Sequence, residues 1–441
     1  MLDLSRVPNF CSHEHWGSID SVGAVEGGFR ADMERGATPA RDTGFLDILL
    51  DPYFRGWLSA GGEDLDSWAR QAHAGSFVDW ALERPAEAYA ALRPALERQQ
   101  LTGGFQCIRR GLLALYSVDI LEVSTQGWLG LDAAIASNYA GLFQWYQDAM
   151  KQSAFSELIR PVHPEFYLND AASETARQEA AFTHTVMRID PLLKFWKEPF
   201  PRRDTLEQTL GIVPRDAASW RQFIGALLDL AAAKGAVGIK QLQAYSRSLE
   251  FLPVEDRDVR WSGDLNAEEV RVFQDWVVHE CCRQAADRGW PHQIHTGTHN
   301  LAQSSPMPLA ALAKQYGGQK IVLLHCWPFT REAGWLAKFH VNVYIDTCWM
   351  PILNPVFLSE ALESWINYVP LNKIMHGQDA TSVEMAAGAS RFTREILARV
   401  LEGQSSRLGV SGDGLLRVAQ AFLNDNAVAV YGLGRPISEM A

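Results

Sequence analysis

The chain has 441 residues, 47 % of them hydrophobic and 21 % charged, with a formal net charge of −12. That composition is globular, and a chain of this length buries a sizeable core without disulfides or a structural metal. The acidic residues form no run, and no basic tract or cationic helix occurs, which argues against nucleic acid or anionic lipid as a partner.

Six cysteines (Cys11, Cys107, Cys281, Cys282, Cys326, Cys348) show neither a paired framework nor a CxxC motif, as expected for reduced, buried thiols. MLDLSRVPNF lacks a basic-then-apolar leader pattern, and no apolar run approaches the roughly 20 residues of a membrane span. A cytoplasmic protein is expected.

SRVPNFCSH reads as a first strand. Residues 20–150 then follow helical periodicity, rich in Ala, Leu, Arg and Trp, as in DSWARQAHAGSFVDWALERP. From about 155 the pattern changes to short continuous apolar runs: LIRPV (158–162), TVMRI (185–189), AVGIKQL (236–242), PHQIHTG (291–297), KIVLLHCW (320–327), VNVYIDT (341–347) and NKIMHG (372–377). Helical stretches such as 217–235, 267–289 and 309–318 separate them. Continuous apolar strands alternating with helices predict a parallel sheet covered on both faces. Eight such units predict an α/β fold of the (β/α)8 barrel type, formed by 1–19 and 151–441. The segment 20–150 is then a long helical insertion after the first strand, either a lid over the C-terminal mouth or an oligomerisation element. A homo-oligomer is expected. Residues beyond about 390 predict closing helices.

Candidate chemistry collects at the predicted strand ends. His13 and His15, in FCSHEHWGS, are spaced to share one face of a strand. His295, His325 and Asp379 end or follow the fifth, sixth and eighth runs, where a barrel gathers catalytic side chains. Imidazoles with a carboxylate suit zinc or another first-row divalent ion. Lys240 ends the fourth run. An ammonium is a poor ligand, but a buried lysine whose pKa is depressed could add carbon dioxide and give a carbamate able to bridge two metals; an unmodified Lys240 holding a substrate carboxylate is the alternative. Arg188 and Arg247 are candidates to hold a carboxylate through a bidentate pair, with Tyr245 beside them. Trp16, Trp327 and Trp349 follow strand ends and could wall an apolar pocket. His376, His292 and His299 are second-choice ligands, Glu384 reads as structural, and Cys326 and Cys348 as buried packing.

The order H-x-H, Lys, His, His, Asp, with the stretches GIKQLQAYSRSLEF, QIHTGTHN, LLHCWPFTREAGWLAKFHVNVYIDTCW and HGQDATSVEMAAGASRFTREIL, resembles the amidohydrolase superfamily. Its amidohydrolase-2 group, with FluG-type and nodulin-like domains, is the nearest likeness, and the insertion loosely resembles the layout of uronate isomerases. The resemblance implies a metal-dependent hydrolase with one or two ions, zinc first among them. By position, His13, His15, His295 and Asp379 would be ligands, Lys240 and His325 would complete a second site, and Asp379 would carry the proton. It implies attack of water on an amide, cyclic amide or lactone carbonyl of a small molecule. Metal-dependent decarboxylation, hydration or sugar-acid isomerisation on the same barrel, and a non-catalytic metal-stabilised protein, are the rival readings.

Overall fold

A computed structural model describes residues 2–16, 43–50, 52–168, 172–197, 201–410 and 412–434. The expected insertion therefore begins, at 20–42, outside the described residues. Eight parallel strands run in the order of the chain: β1 (Asn9–Cys11), β2 (Phe155–Val162), β3 (Thr183–Arg188), β4 (Ala236–Gln241), β5 (His292–His295), β6 (Ile321–Leu324), β7 (Val343–Asp346) and β8 (Ile374–Met375). Backbone hydrogen bonds from Ser12 to His376 (3.0 Å) and from Asp379 to His13 (3.0 Å) join the last strand to the first. The architecture is the expected (β/α)8 barrel.

Every predicted run contains a strand, yet several leave the ladder early. The runs at 291–297 and 320–327 end as strands at His295 and Leu324. Beyond them the chain turns sharply, with His325 and Cys326 at φ 67° and 63°. β5 and β6 are buried throughout, as a parallel strand covered on both faces must be. The register sets Arg188 beside Lys240 and Lys240 beside Gln293.

The helices around the barrel begin where the sequence can cap them. The Asn266 side chain accepts from the N–H groups of Glu268 and Glu269, and the Glu269 carboxylate returns to the Asn266 N–H (2.9 Å), a reciprocal cap that starts Ala267–Asp287. The floor of the barrel is apolar: Phe10, Ile159, Val186, Val322 and Met375 pack with Ala427, Val428 and Tyr431 of the closing helix Asn426–Tyr431. No helix among the described residues is long and apolar enough to cross a membrane.

The helices between β1 and β2 have a core of their own, built on residues such as Phe45, Trp128, Tyr139 and Tyr146, and it continues into Val383, Ala386 and Ala389 beneath. The seam is close. Helix Gly103–Tyr116 crosses helix Val383–Leu408 at paired glycines, where a Cβ on Gly111 would lie 1.8 Å from the Glu384 carbonyl oxygen and one on Gly388 1.7 Å from that of Cys107. Only glycine lets the two backbones meet there. One turn earlier on the same helix, the buried Glu384 carboxylate accepts from Tyr116 Oη (2.8 Å), Tyr139 Oη (2.8 Å) and Trp145 Nε1 (3.1 Å), joining three helices to the end of the barrel.

Candidate metal centre

His13 and His15 lie just beyond β1 rather than within it, and still converge. The His13 Nδ1 faces Gln293 Oε1 at 2.8 Å, while Gln293 Nε2 donates to the Ser12 carbonyl (2.8 Å) and to Tyr431 Oη (2.7 Å). A glutamine so engaged presents its carbonyl to His13, which places the proton on Nδ1 and the lone pair on Nε2. Nε2 faces the mouth, 3.2 Å from Lys240 Nζ and 3.9 Å from Asp379 Oδ1. His15 Nε2 lies 3.0 Å from the same oxygen. The intervening Glu14 turns the other way: its carboxylate accepts from the backbone N–H groups of His15 (3.1 Å) and Ala380, binding the end of β1 to the loop after β8.

Asp379 is the centre of the cluster. Its Oδ1 meets His15 and His13 and accepts from Tyr53 Oη (3.2 Å), while Oδ2 lies 3.5 Å from His325 Nδ1. Burial opposes its ionisation, but the charge and hydrogen bond of His15, with His13 and His325, hold the carboxyl well below its usual range. Burial pushes the imidazoles down: His13, further lowered by Lys240, His295, further lowered by His325, and His325 itself, to about 4. Burial also pulls the Lys240 amine to about 8. The imidazoles at the mouth are therefore neutral near pH 7, while Lys240 is still largely an ammonium beside the Asp379 carboxylate. The backbone carries strain here: His325, Trp349 and Asp379 have φ of 67°, 65° and 56°, left-handed values that non-glycine residues keep only where the surroundings enforce them.

These residues fit a divalent cation. Among the described residues, ligand atoms of His13, His15 and Asp379 lie within 4.8 Å of one another, and so do those of His325, Cys348 and Asp379. Deprotonated imidazole and carboxylate are the state a metal requires. His295 belongs to neither group; its ring lies 4.2 Å from that of His325 and its Nε2 3.0 Å from Thr298 Oγ1.

The remaining candidates divide. Trp349 stands at the mouth, 5.7 Å from the His325 ring, 4.6 Å from Tyr53 and 5.3 Å from His299, which stacks on Tyr245 at 4.8 Å. Arg188 is also there, its fork on Asp190 (2.7 and 3.3 Å). Three expectations need correction. Arg247 is taken up by Asp275 (2.6 Å), Gln274 (3.2 Å) and the Glu250 carbonyl (2.7 Å), so its guanidinium fastens a loop instead of awaiting a substrate carboxylate. Trp16 is buried in the helical core against Tyr146 and Phe182, and Trp327 lays its face on Phe357 at 4.2 Å, so neither walls the mouth. Among the second-choice histidines, His292 meets Cys282 (3.4 Å) and His376 meets Thr347 (2.9 Å) and Gln378 (3.1 Å), away from the cluster. No motif in the sequence gives Tyr53, Gln293 or Glu14 a role, and Cys348 reads there as buried packing.

A parallel barrel that gathers neutral imidazoles and an anionic carboxylate at its C-terminal mouth defines a class, the metal-dependent barrel enzymes. A family model described as Amidohydrolase matches residues 213–433, and the chain belongs to that family. Protein fluG of Emericella nidulans is 29 % identical over an alignment of 339 positions that covers 68 % of this chain and 38 % of that protein, so the chain spans well under half the length of this relative. The uronate isomerase of Thermotoga maritima shares the fold with a TM-score of 0.73 at 13 % identity, over 97 % of this chain and 95 % of the other. A provisionally assigned metal-dependent hydrolase of Lactobacillus casei ATCC 334 aligns with a TM-score of 0.62 at 16 % identity, over 97 % and 96 %. At these identities the two structural likenesses speak for the fold alone.

Proposed function

We propose that the chain is a metal-dependent hydrolase acting on an amide, cyclic amide or lactone carbonyl of a small, carboxylate-bearing molecule. The observation that carries the reading is the convergence of His13, His15, His325 and Tyr53 on one ionised carboxylate, Asp379. His13, His15, His295 and Asp379 would hold a first cation, zinc or a similar ion, with Lys240 and His325 contributing to a second. When bound, such a cation acidifies water and polarises a carbonyl.

The protein's own groups do the rest. Asp379, ionised at neutral pH, accepts a proton from the attacking water. As the carbonyl carbon–nitrogen bond breaks, it returns that proton to the nitrogen, which leaves as an amine. Tyr53, donating to Asp379, orients the carboxylate and brings the helix Pro52–Ala60 over the reaction centre, which supports the lid reading of the insertion. Arg188 gives Nε and Nη2 to Asp190 beside Lys240, so it would meet a substrate carboxylate through Nη1, and Trp349 with Tyr245 offers an aromatic wall. The lowered pKa of Lys240 leaves a fraction of neutral amine at physiological pH, which can add carbon dioxide and lose a proton to become a carbamate.

Elemental analysis of protein purified without added chelator or metal, beside Lys240→Ala, tests the reading. Two first-row ions per chain, falling to one or none in the variant, with turnover in a panel of amides and lactones, are expected. No ion at any level of reconstitution would overturn it. The whole-length likeness of fold to a uronate isomerase supports a second reading, aldose–ketose exchange on a sugar acid, so the panel includes uronates.

A further inference from the structure

We infer that Cys348 is a thiolate ligand of the second cation position, formed with His325 Nδ1 and Asp379 Oδ2. The inference rests on the metal-centre reading and adds a sulfur donor to it. Cys348 Sγ lies 3.0 Å from His325 Nδ1, and Asp379 Oδ2 lies 3.5 Å from that same nitrogen. All three residues are buried, and their ligand atoms form one group within 4.8 Å. The two oxygens of Asp379 divide between two sets of nitrogen donors: Oδ1 belongs with His15 and His13, Oδ2 with His325 and, through it, Cys348. One carboxylate thus addresses two positions.

The thiol is fixed where it stands. The Cys348 N–H donates to Asp346 Oδ1 at 2.7 Å, and a Cβ on Gly377 would come within 2.9 Å of the Cys348 Cβ, so the chain from β8 presses directly against it. Other buried thiols are differently placed. Cys326 faces the Leu323 carbonyl (3.3 Å) and Cys107 that of Pro351 (3.6 Å); Cys282 meets an imidazole, His292 at 3.4 Å, but belongs to no three-ligand group among the described residues. Imidazole, carboxylate and thiolate together select zinc, cobalt or cadmium over magnesium or calcium. Coordination releases the thiol proton to solvent, so the sulfur binds as thiolate. The competing account is that His325 Nδ1 carries a proton and donates it to the Cys348 carbonyl at 3.2 Å, with the thiol only packing beside it.

Metal-stripped full-length protein reloaded with cobalt(II) separates the two. A near-ultraviolet sulfur-to-cobalt charge-transfer band is expected in the wild type, retained in Cys326→Ser and lost in Cys348→Ser, together with one bound cobalt per chain. Far-ultraviolet circular dichroism checks that each variant is folded. If Cys348→Ser does not fold, cadmium-113 resonances of the wild type decide, since a sulfur ligand moves one of them downfield of the nitrogen–oxygen range. Cobalt bound without a sulfur band, a band untouched by Cys348→Ser, or cadmium resonances all in the nitrogen–oxygen range would overturn the sulfur ligand and leave the metal centre standing. Failure to bind cobalt or cadmium at all would remove the metal-centre reading and this inference with it.

Discussion

Asp379 and Glu384 are close neighbours after β8, and both carboxylates are buried. Asp379 faces the mouth and meets His13, His15 and His325; Glu384 faces the seam with the helical layer and meets two tyrosine hydroxyls and an indole N–H. Burial works against ionisation in both. The surrounding imidazoles reverse that at Asp379, whereas at Glu384 burial wins and the pKa rises. Partners that carry lone pairs and exchange protons make the first carboxylate chemical. Partners that only donate make the second a fastening, holding three helices to the barrel.

The sharpest way to break this contrast is Asp379→Asn, which keeps the shape and removes the anion. Turnover should fall on the order of 10³-fold with bound metal reduced, while the thermal transition stays near that of the wild type. An active, metal-replete variant would place the proton acceptor elsewhere. Glu384→Ala should do the reverse. Stranding three buried donors should cost at least about 3 kcal/mol in chemical denaturation, with metal content per folded chain unchanged. A loss below about 1 kcal/mol would mean that the donors find other partners.

Acid should act on the whole barrel, because buried histidines lie within the Asp379 cluster and away from it. Burial sets His292 and His376 near 3 and His325 near 4, below the ordinary value of 6.5. The unfolded chain therefore binds more protons as pH falls beneath about 6.5, and stability present above that value is lost progressively toward pH 3. Calorimetry of metal-free protein between pH 7 and 4.5 should show a falling Tm; a flat profile would contradict neutral buried imidazoles. The smallest effect belongs to Tyr53→Phe. Removing the hydroxyl that donates to Asp379 should lower kcat about tenfold with fold and metal count intact. An unchanged kcat would restrict the helix Pro52–Ala60 to packing.

The strands were legible because a parallel strand covered on both faces must be apolar along its length, and a short continuous run such as IVLL in β6 is hard to mistake. The strand-end histidines and Asp379 were legible for a related reason: a polar residue closing an apolar run has few places to go. Which way a strand-end side chain points was not legible. Arg247, Trp16 and Trp327 occupy the same kind of position as Arg188 and Trp349, and only tertiary packing separates them. Tyr53 and Gln293 reach the site across 326 and 280 positions of chain, a distance that local pattern does not encode. Glu14 sits inside the recognised H-x-H and still reads differently, because its carboxylate is taken by the backbone N–H groups of His15 and Ala380.

The barrel's closure also sets the timing of its assembly. Ser12 bonds to His376 across 364 positions, and Gln293, which orients His13, is itself held by Tyr431. During synthesis the two imidazoles near the start of the chain emerge long before the residues that aim them. The cluster therefore forms only after β8 and the closing helix have left the ribosome, and contacts this distant in sequence make for slow folding. A nascent chain halted within the outer helices would carry most of its core-forming strands and no working mouth.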